Sequence, residues 1–402
     1  MRRVVITGAG TVNPLGADVA ATWAAMAAGQ VAIGPLDIRD RDRLSVQIGA
    51  QVQGFEPEAH FDKAQLGMLD RFAQFALVAA RQAVAQSGLD FAGDLGLRAG
   101  VVLGTAGGGL TTSDDSYRTV YEEGKARVHP FTVPRLMNNA AASHVSMAFG
   151  LRGPAFSVAT ACASSNHAMG LAFQMVRAGA APVMLAGGSE AMLCFGGIKA
   201  WEGLRVMARE ACRPFSADRS GMVQGEGAAV FVFEDRDHAL ARGGEILAEV
   251  AGFAMTSDAA DIVMPSAEGA GRAMAGALQD AGIAPEAVDY INAHGTGTAA
   301  NDRTECAAIA QVFGDHARRL MVSSTKSMHG HLIGGTGAVE LLACLMALRQ
   351  GVVAPTMGYT TPDPDCPLDV VPNAARQARV EVALSNAFAF GGLNAVLALR
   401  RA

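Results

Sequence analysis

Ala159-Thr160-Ala161-Cys162-Ala163-Ser164-Ser165-Asn166 is the stretch that decides the fold and the chemistry, because its cysteine stands directly before a long helical pattern. That pattern, residues 164–177, is apolar on nearly all sides, which predicts a helix buried in the core. A cysteine at a helix N-terminus faces unpaired backbone N–H groups and the positive end of the helix dipole, and both favour the thiolate. Cys162 is therefore a candidate nucleophile, although a lone cysteine is more often a small core hydrophobe.

Short apolar runs bounded by glycine alternate with helical patterns on both sides of this stretch. The runs are typical of strands buried on both faces and lie at residues 4–7, 101–103, 182–186, 228–233, 245–250, 288–291 and 382–384. The helical patterns lie at residues 70–86, 164–177, 267–281 and 337–349, with Gly88, Gly179, Gly282 and Gly351 where C-cap glycines belong. The alternation predicts an α/β protein with layered, largely parallel sheets.

Composition restricts the class of protein. Half of the 402 residues are hydrophobic and 17% are charged, with a net charge of -6, so neither a disordered chain nor a nucleic-acid-binding surface is indicated. The six cysteines form no C-x-x-C pair, which favours reduced thiols in a cytoplasmic protein. The most apolar stretch, residues 337–348, contains Glu340 and is too short to span a bilayer, and no secretory signal is indicated.

Two further features concern organisation. No Pro/Ser linker interrupts the chain, and the charged segment 234–244 is the best candidate seam, so we divide the chain into residues 1–238 and 239–402. Gly8-Ala9-Gly10 follows a strand-like run and suggests a dinucleotide site. The third glycine and the helix start are out of place, however, and the motif is a weak signal.

Three other clusters combine histidines, small polar residues and glycines. His294 lies in Asn292-Ala293-His294-Gly295-Thr296-Gly297-Thr298 after a predicted strand, where α/β proteins place site residues, although a structural histidine fits equally well. Lys326 to Gly337 holds a lysine, His329 and His331, and a glycine-rich helix entry; zinc is the rival interpretation, but no nearby carboxylate completes a ligand set. Ser385-Asn386-Ala387-Phe388-Ala389-Phe390-Gly391-Gly392 ends in a glycine pair that a sheet turn would explain.

Taken together and in this order, the four motifs resemble the elongating β-ketoacyl-ACP synthases, specifically the synthase II branch, over nearly the whole chain. Three segments, residues 199–202, 212–216 and 362–366, resemble the rhizobial nodulation ketosynthase within that branch. The resemblance implies a thiolase-like fold of two pseudo-duplicated α/β halves in α-β-α-β-α layers, and a homodimer. It also implies decarboxylative condensation of an acyl-cysteine with malonyl-ACP, with the phosphopantetheine arm of acyl carrier protein as the substrate carrier and no required cofactor.

The resemblance assigns roles to residues of this chain. It implies Cys162 as nucleophile, His294 and His331 as donors to the malonyl thioester carbonyl, and Lys326 as the residue that orients them. The oxyanion hole and gate would be formed by Cys162, Phe388, Phe390 and Gly391. Substrate-binding positions would be Gly107, Ile198, Thr296 and Thr298, and Asn292, Glu340, Ser385 and Asn386 match the ligands of a structural Na⁺ or K⁺ in some members.

Three departures and several alternatives stay open at this stage. His329 replaces the usual threonine beside His331, Gly107 replaces a bulky aliphatic gate, and basic docking residues are missing near Gly67 and Met68, which leaves Lys63, Lys125 and Arg127 as candidates for an acidic carrier protein. A glycine at residue 107 suggests tolerance of unusual or longer acyl chains. The alternatives are a ketosynthase of a specialised polyene, polyketide or signal-lipid pathway, a non-catalytic chain-length-factor-like partner, a thiolase, or an initiating synthase with a Cys-His-Asn site.

Overall fold

Ten of fourteen strands join into one mixed sheet in the computed structural model, which describes residues 1–402. In chain order the strands are β1 Val4–Val12, β2 Gly34–Pro35, β3 Ile48–Gly49, β4 Gly100–Gly104, β5 Ala155–Val158, β6 Val183–Glu190, β7 Gly227–Asp235, β8 Ala248–Ser257, β9 Tyr290–Asn292, β10 Met321–Ser323, β11 Val352–Val353, β12 Arg376–Gln377, β13 Val382–Ala389 and β14 Leu393–Arg400. The pairs β2–β3 and β11–β12 form two separate small sheets.

Fourteen α-helices and five short 3₁₀ helices complete the secondary structure. The α-helices are α1 Val19–Ala27, α2 Lys63–Met68, α3 Arg71–Ser87, α4 Asp94–Arg98, α5 Leu110–Tyr121, α6 Thr132–Leu136, α7 Ala140–Phe149, α8 Ser164–Ala178, α9 Phe195–Glu202, α10 Arg236–Ala241, α11 Ala267–Ala281, α12 Ala299–Phe313, α13 Lys326–His329 and α14 Thr336–Gln350. The 3₁₀ helices are Arg41–Arg43, Pro57–Ala59, Pro285–Ala287, Gly314–Arg318 and Ile333–Gly335.

The strand order reveals an internal duplication. The sheet runs β10-β9-β13-β14-β8-β1-β7-β6-β4-β5. From the centre outward, one half runs β1-β7-β6-β4-β5 and the other runs β8-β14-β13-β9-β10. In chain order within each half, both sequences read first, fifth, fourth, second, third. The two halves meet where β1 pairs antiparallel with β8, at Val4–Ile6 and Val250–Ala248. This repeated order fits the expected pair of similar α/β halves, while the division after residue 238, which falls inside α10, stays a prediction.

Three buried cores give the molecule five layers. Helices α3 and α7 cover the outer face of the first half of the sheet. Helices α8 and α14 pack against each other and against strands of both halves, so they form the central layer. Helices α11 and α12 pack together over the second half, with α11 against β8 and β14. The expected α-β-α-β-α layering is therefore confirmed.

The four predicted helices match the observed ones to within one residue at each end. Their predicted C-cap glycines, Gly88, Gly179, Gly282 and Gly351, all adopt left-handed φ between 63° and 79°. The expectation of largely parallel sheets was wrong, since only four of the nine strand pairings are parallel. In each half the last strand, β7 or β14, runs antiparallel to both of its neighbours, and β1 and β8 also pair antiparallel. The apolar composition of a buried strand does not encode its direction.

Gly8 and Gly10 serve packing between a strand and a helix. A Cβ at Gly8 would lie 2.1 Å from the carbonyl oxygen of Ala83, and one at Gly10 would lie 2.1 Å from that of Ala79. Helix α3 therefore rests directly on the backbone of β1, which only glycine permits. The glycines thus have a structural explanation, and the dinucleotide interpretation gains no support. No helix is both long and apolar enough to cross a membrane.

We expect Gly8→Ala to lower the free energy of unfolding by about 1–3 kcal/mol, because the new methyl group must displace backbone rather than a flexible side chain. Urea denaturation followed by circular dichroism measures the change. Gly67→Ala is the matched control: it lies in α2, a Cβ there meets no atom within 4 Å, and it should leave stability unchanged or slightly raised. Equal effects of the two substitutions would contradict the close approach of α3 to β1.

Candidate active site

The four motifs meet at the carboxyl ends of parallel strands. Cys162 lies between β5 and α8, His294 follows β9, and the Lys326–His331 segment joins β10 to α14. The sulfur of Cys162 and a ring nitrogen of each of His294 and His331 lie within 4.8 Å of one another. All three side chains are buried. The structure therefore assembles the predicted Cys–His–His set from both halves of the chain.

A strained turn presents Cys162 at the start of α8. Ala161 adopts a left-handed φ of 47°, which is unfavourable for any residue with a Cβ. Ser164 stabilises this turn: its Oγ donates to the carbonyl oxygen of Ala161 at 2.7 Å and accepts from the N–H of Thr160 at 2.9 Å. The turn directs the cysteine to the helix N-terminus, as the sequence predicts. Ile333, before α14, has a similar φ of 46°.

The protonation state of Cys162 differs from the expectation. Burial raises the pKa of its thiol to about 12, while the charge of Lys326 and the backbone N–H groups of Phe390 and Cys162 act in the opposite direction. The backbone N–H groups at the helix N-terminus do favour the thiolate, as expected, but burial has the larger effect. Desolvation of a charged sulfur outweighs the dipole and the two N–H groups in a site this enclosed. The thiol is protonated before a substrate arrives.

His331 presents an N–H group to the site. Its Nδ1 accepts a hydrogen bond from the N–H of Ile333 at 3.1 Å and lies 2.8 Å from the Thr336 hydroxyl. A ring nitrogen that accepts carries no proton, so in the neutral imidazole the proton is on Nε2. That Nε2 is buried and has no hydrogen-bond partner within the chain. Burial first, then Lys326, lowers the pKa of His331 well below its ordinary value, so the ring is a neutral donor.

His294 takes the same form through Lys326. The Lys326 ammonium lies 3.4 Å from His294 Nδ1, and an ammonium can only donate, which leaves the ring proton on Nε2. Burial and the lysine charge lower the pKa of His294 well below its ordinary value. The two imidazoles are nearly perpendicular, with ring centroids 5.5 Å apart. They form a pair of N–H donors rather than a pair of bases.

These tautomers also bear on the zinc alternative. A metal ion needs the lone pair of a ring nitrogen, whereas the Nδ1 atoms of His294 and His331 are already engaged and their Nε2 atoms carry protons. The third ligand would be a thiol with a raised pKa. The hydrogen bonds around the three side chains therefore favour donor chemistry over metal binding.

A buried ion pair fixes Lys326. Its ammonium donates to the Glu340 carboxylate at 2.5 Å and to the carbonyl oxygen of His294 at 2.5 Å. Burial raises the pKa of Glu340 to about 7, and Lys326 opposes that shift. Because Glu340 belongs to α14, the pair ties the loop of His294 to the central helix. Lys326 thus contacts the site through His294, in agreement with its predicted position.

The residues implied for a monovalent cation offer unpaired oxygens. Asn292 Oδ1, Glu340 Oε2 and Asn386 Oδ1 are buried and accept no hydrogen bond from the chain. Ser385 pairs with Asn292 between β13 and β9, and α14 packs on both strands. Oxygen donors of this kind suit Na⁺ or K⁺. The residues fit such an ion, which would supply positive charge beside buried carboxylates, and the cation site stays a prediction.

Glu305 supports the His294 loop and was missed from the sequence. Its buried carboxylate accepts from the N–H groups of His294 and Gly295, both at 2.8 Å, and from Asn386 Nδ2 at 3.1 Å. Asp302, one turn earlier on α12, accepts from the N–H of Gly297 at 3.2 Å. The only available signal was two acidic residues three positions apart, which in a sequence is typical of an exposed helix face.

A cavity of ≈ 180 Å³ opens onto the three reactive side chains. It is lined by Cys162, Trp201, Val206, Met222, Val263, Met264, Pro265, His294, Thr296, Thr298, Ala300, Asn301, His331, Phe388, Ala389 and Phe390. The predicted Thr296, Thr298, Phe388 and Phe390 are therefore at the cavity, whereas Gly107 and Ile198 do not line it. Trp201 is a wall residue that the sequence argument did not single out as functional.

The space beside Gly107 is not empty. A Cβ at this glycine would meet Sδ, Cε and Cγ of Met192 at 3.0, 3.1 and 3.2 Å. The flexible methionine therefore occupies room that a side chain at position 107 would take. Ile198 is fully buried in α9. A passage for an acyl chain beside Gly107 stays a prediction that requires Met192 to move.

His329 does not line the cavity. Its Nδ1 lies 2.8 Å from the carbonyl oxygen of Gly330, and its Nε2 lies 2.9 Å from the Thr325 hydroxyl. Burial, then the charge of Lys326, lowers its pKa to about 3. A neutral His329 thus contacts only residues of the loop before His331. This agrees with the prediction that it is not a catalytic histidine.

Comparison with known proteins covers the whole chain. The β-ketoacyl synthase N-terminal domain matches residues 1–239 and the C-terminal domain matches residues 247–360. Nodulation protein E of Rhizobium sp. (strain N33) is 50% identical over 400 residues, which cover 100% of this chain and 99% of that protein. 3-Oxoacyl-[acyl-carrier-protein] synthase 2 of Staphylococcus aureus (strain N315) is 41% identical, covering 100% of this chain and 98% of that protein.

A solved structure matches the fold of the whole chain. It is described as a type II PKS acyl-carrier protein in complex with its ketosynthase bound to the hexaketide. The matched chain has a TM-score of 0.91 and 32% sequence identity, and the match covers 100% of this chain and 99% of that one.

The raised pKa of Cys162 predicts the pH dependence of its alkylation. Below a pKa of about 12 the thiolate fraction grows tenfold per pH unit, so the iodoacetamide rate at Cys162 should still be increasing at pH 10. Mass spectrometry of the peptide that contains residue 162 measures it, with Cys162→Ser as the blank. A rate that levels off below about pH 9 would contradict the dominance of burial.

Proposed function

Because this chain belongs to the β-ketoacyl synthase family, we propose that Cys162 carries the acyl group in a decarboxylative condensation with malonyl-carrier protein. The chain is a β-ketoacyl-[acyl-carrier-protein] synthase, an acyltransferase that elongates acyl chains. The observation that carries the residue assignment is the cysteine sulfur placed beside two histidine rings that face it as N–H donors.

The first step transfers the acyl group to Cys162. The sulfur attacks the carbonyl carbon of a pantetheine thioester, and the pantetheine thiol leaves with the proton that Cys162 loses. Negative charge develops on the carbonyl oxygen during the attack. The backbone N–H groups of Phe390 and Cys162 form the oxyanion hole, and their effect on the pKa of the sulfur supports this role.

The second step uses the two histidines. The malonyl thioester carbonyl accepts from the Nε2–H groups of His294 and His331, and loss of carbon dioxide leaves an enolate held by the same donors. The enolate carbon attacks the acyl carbonyl on Cys162. The bond to sulfur breaks, the β-ketoacyl thioester leaves on the carrier, and the cysteine thiolate takes a proton from water. Neutral imidazoles suit this role because they stabilise the enolate without protonating its carbon.

The surrounding residues bind and orient. Lys326 orients His294 through its ring nitrogen and carbonyl oxygen. Thr296 and Thr298, whose hydroxyls lie 2.8 Å apart on the cavity wall, contact the pantetheine arm. Phe388 packs edge-on against His294, with ring centroids 6.1 Å apart, and belongs with Phe390 and Gly391 to the gate.

A homodimer is the proposed assembly. Strand β5 ends the sheet and is exposed or half-buried along its length, so its backbone edge is free to meet a second copy. Large apolar side chains are exposed nearby in sequence, in and around α5 and α6, which is unusual for a surface that stays in water. They are Tyr117, Val120, Tyr121, Val128, Phe131, Val133 and Met137.

Acyl carrier protein is the proposed partner, and its phosphopantetheine arm carries both substrates. The carrier complex of the similar ketosynthase supports this assignment. Lys63 and Arg127 are exposed and offer positive charge to an acidic partner, whereas Lys125 pairs with Glu123 at 2.7 Å. We expect the enzyme in the cytoplasm, where the buried cysteines stay reduced.

The second candidate function is the same reaction in a specialised pathway, with a different acyl substrate. Identity to the rhizobial nodulation protein, at 50%, exceeds identity to the synthase 2 of Staphylococcus aureus, at 41%. This difference favours a ketosynthase of a signal-lipid or related pathway over general fatty acid synthesis. A non-catalytic chain-length-factor-like role is disfavoured because Cys162 and both histidines are present and meet.

His331→Ala tests the division of labour between the two steps. Because the histidine donates only to the malonyl carbonyl, acylation of Cys162 should persist while condensation falls by about 10²–10³. Intact-protein mass spectrometry with a panel of acyl-carrier thioesters follows acylation, and β-ketoacyl product formation follows condensation.

His329→Thr is the matched control, since its ring contacts Thr325 and Gly330 rather than the cavity, and it should retain condensation. An absence of acyl-Cys162 in the wild-type protein on every primer would instead favour the non-catalytic role.

Gly107→Ile tests the acyl preference. The added side chain competes with Met192 for one space, so the substitution should reduce rates on long primers more than on short ones. Initial rates on a series of saturated acyl-carrier primers measure the preference. Gly107→Ala, which adds a single methyl group, should have a smaller effect, and an unchanged preference in Gly107→Ile would refute the role of residue 107.

A further inference from the structure

Trp201 contacts the turn that supplies an N–H group to the nucleophile. Its ring stacks on Phe390 with centroids 5.9 Å apart and ring planes 23° from parallel. Both aromatic residues line the cavity that holds Cys162. The N–H of Phe390 in turn stabilises charge on the Cys162 sulfur. Trp201 is therefore one residue away from the reacting atoms.

The turn that carries Phe390 has few other restraints. It consists of three residues between β13 and β14, and Gly391 and Gly392 both have left-handed φ, at 82° and 68°. None of its backbone hydrogen bonds involves Phe390: the N–H groups of Gly391 and Gly392 donate to the carbonyl oxygens of Ile262 and Ala389, and the Gly392 carbonyl oxygen accepts from the N–H of Asp258. Two successive glycines leave the direction of the Phe390 N–H poorly determined by the backbone alone. Side-chain packing on Phe390 therefore contributes to that direction.

Trp201 itself stands on a firmly held helix. Next to it, the Glu202 carboxylate accepts from the N–H groups of Ser45 and Val46 at 2.6 and 2.9 Å and from Lys199 Nζ at 2.8 Å.

At the other end of α9, the ring of Phe195 lies under two guanidinium groups. Those of Arg43 and Arg118 are 4.7 and 5.0 Å from its centroid. Because both ends of the helix are fastened, Trp201 offers Phe390 a fixed surface.

We propose that Trp201 is a positioning residue for acyl transfer, which holds Phe390 by stacking so that the residue 390 N–H faces the thioester oxygen at Cys162. The proposal rests on the proposed function, since the oxyanion exists only if Cys162 accepts an acyl group. A stacked aromatic pair shifts an equilibrium by up to roughly tenfold, which is enough to change how often the donor is in place.

Two reactions of the same sulfur separate positioning from access. Acyl transfer from the hexanoyl thioester of N-acetylcysteamine needs the oxyanion hole, whereas alkylation by iodoacetamide needs none. We expect Trp201→Ala to slow acyl transfer by roughly tenfold and to slow alkylation clearly less, because alkylation forms no oxyanion and depends on the Phe390 N–H only through the thiol pKa. The slowing stays below the about 10²–10³ that follows the complete loss of a donor. Trp201→Phe, which can still stack, should restore most of the acyl-transfer rate.

The other tryptophan provides the control. Trp23 donates to the carbonyl oxygen of Leu342 at 2.9 Å and does not line the cavity, so Trp23→Phe should change neither rate. If Trp201→Ala slows acyl transfer and alkylation by the same factor, Trp201 has a structural role and the proposal is overturned. If both rates rise by the same factor, Trp201 only limits access to Cys162, and the proposal is likewise overturned. If the wild-type protein is alkylated but never acylated, the proposed function fails, and the positioning role fails with it.

Discussion

The buried ammonium of Lys326 is the interaction on which the site depends. It joins Glu340 of α14, the carbonyl oxygen of His294 and the ring of the same histidine, with no exposed surface of its own. A buried ion pair contributes little net stability, because desolvation offsets most of the attraction. Its value here is geometric and electrostatic: it fixes the His294 tautomer, and it adds to the effect of burial in lowering the pKa of both histidines. Removing the lysine would raise the pKa of Glu340 further, because burial would then act without the opposing charge.

The duplicated sheet explains why one site draws on both halves. Helices α8 and α14 occupy equivalent places, each after the third strand of its half, and both pack in the central layer. Each is preceded by a turn with one non-glycine residue at left-handed φ, Ala161 or Ile333. The nucleophile precedes α8 and His331 precedes α14. The proposed site of condensation thus lies where two similar helix starts meet.

Opposing effects of unequal size decide the chemistry of Cys162. The helix dipole, two backbone N–H groups and Lys326 all favour the thiolate, yet burial raises the thiol pKa to about 12. The same enclosure keeps His294 and His331 neutral. A site that excludes water therefore holds every reactive group uncharged until a thioester arrives, and only then does charge develop, where the donors already point. The stacking of Trp201 on Phe390 belongs to this arrangement, since an N–H donor is useful only while it points at the oxygen.

The sequence by itself determined the four long helices, their glycine caps, seven of the strands and the Cys–His–His set with Lys326. These features follow from local patterns: apolar periodicity, glycine at helix ends, and reactive residues at strand ends. The family resemblance built on them is confirmed over the full chain. The roles of Thr296, Thr298 and the cation ligands stay predictions.

Only the tertiary structure decided the direction of the strands, the protonation of Cys162, and the parts played by Glu305, Met192 and Trp201. Strand direction depends on how connections cross the sheet. The thiol pKa depends on water excluded by residues far along the chain. Glu305 resembles an exposed helical acid until the His294 loop covers it, and Met192 fills space beside Gly107 that composition cannot reveal. Each of these results rests on contacts between segments distant in sequence, and no local pattern records such contacts.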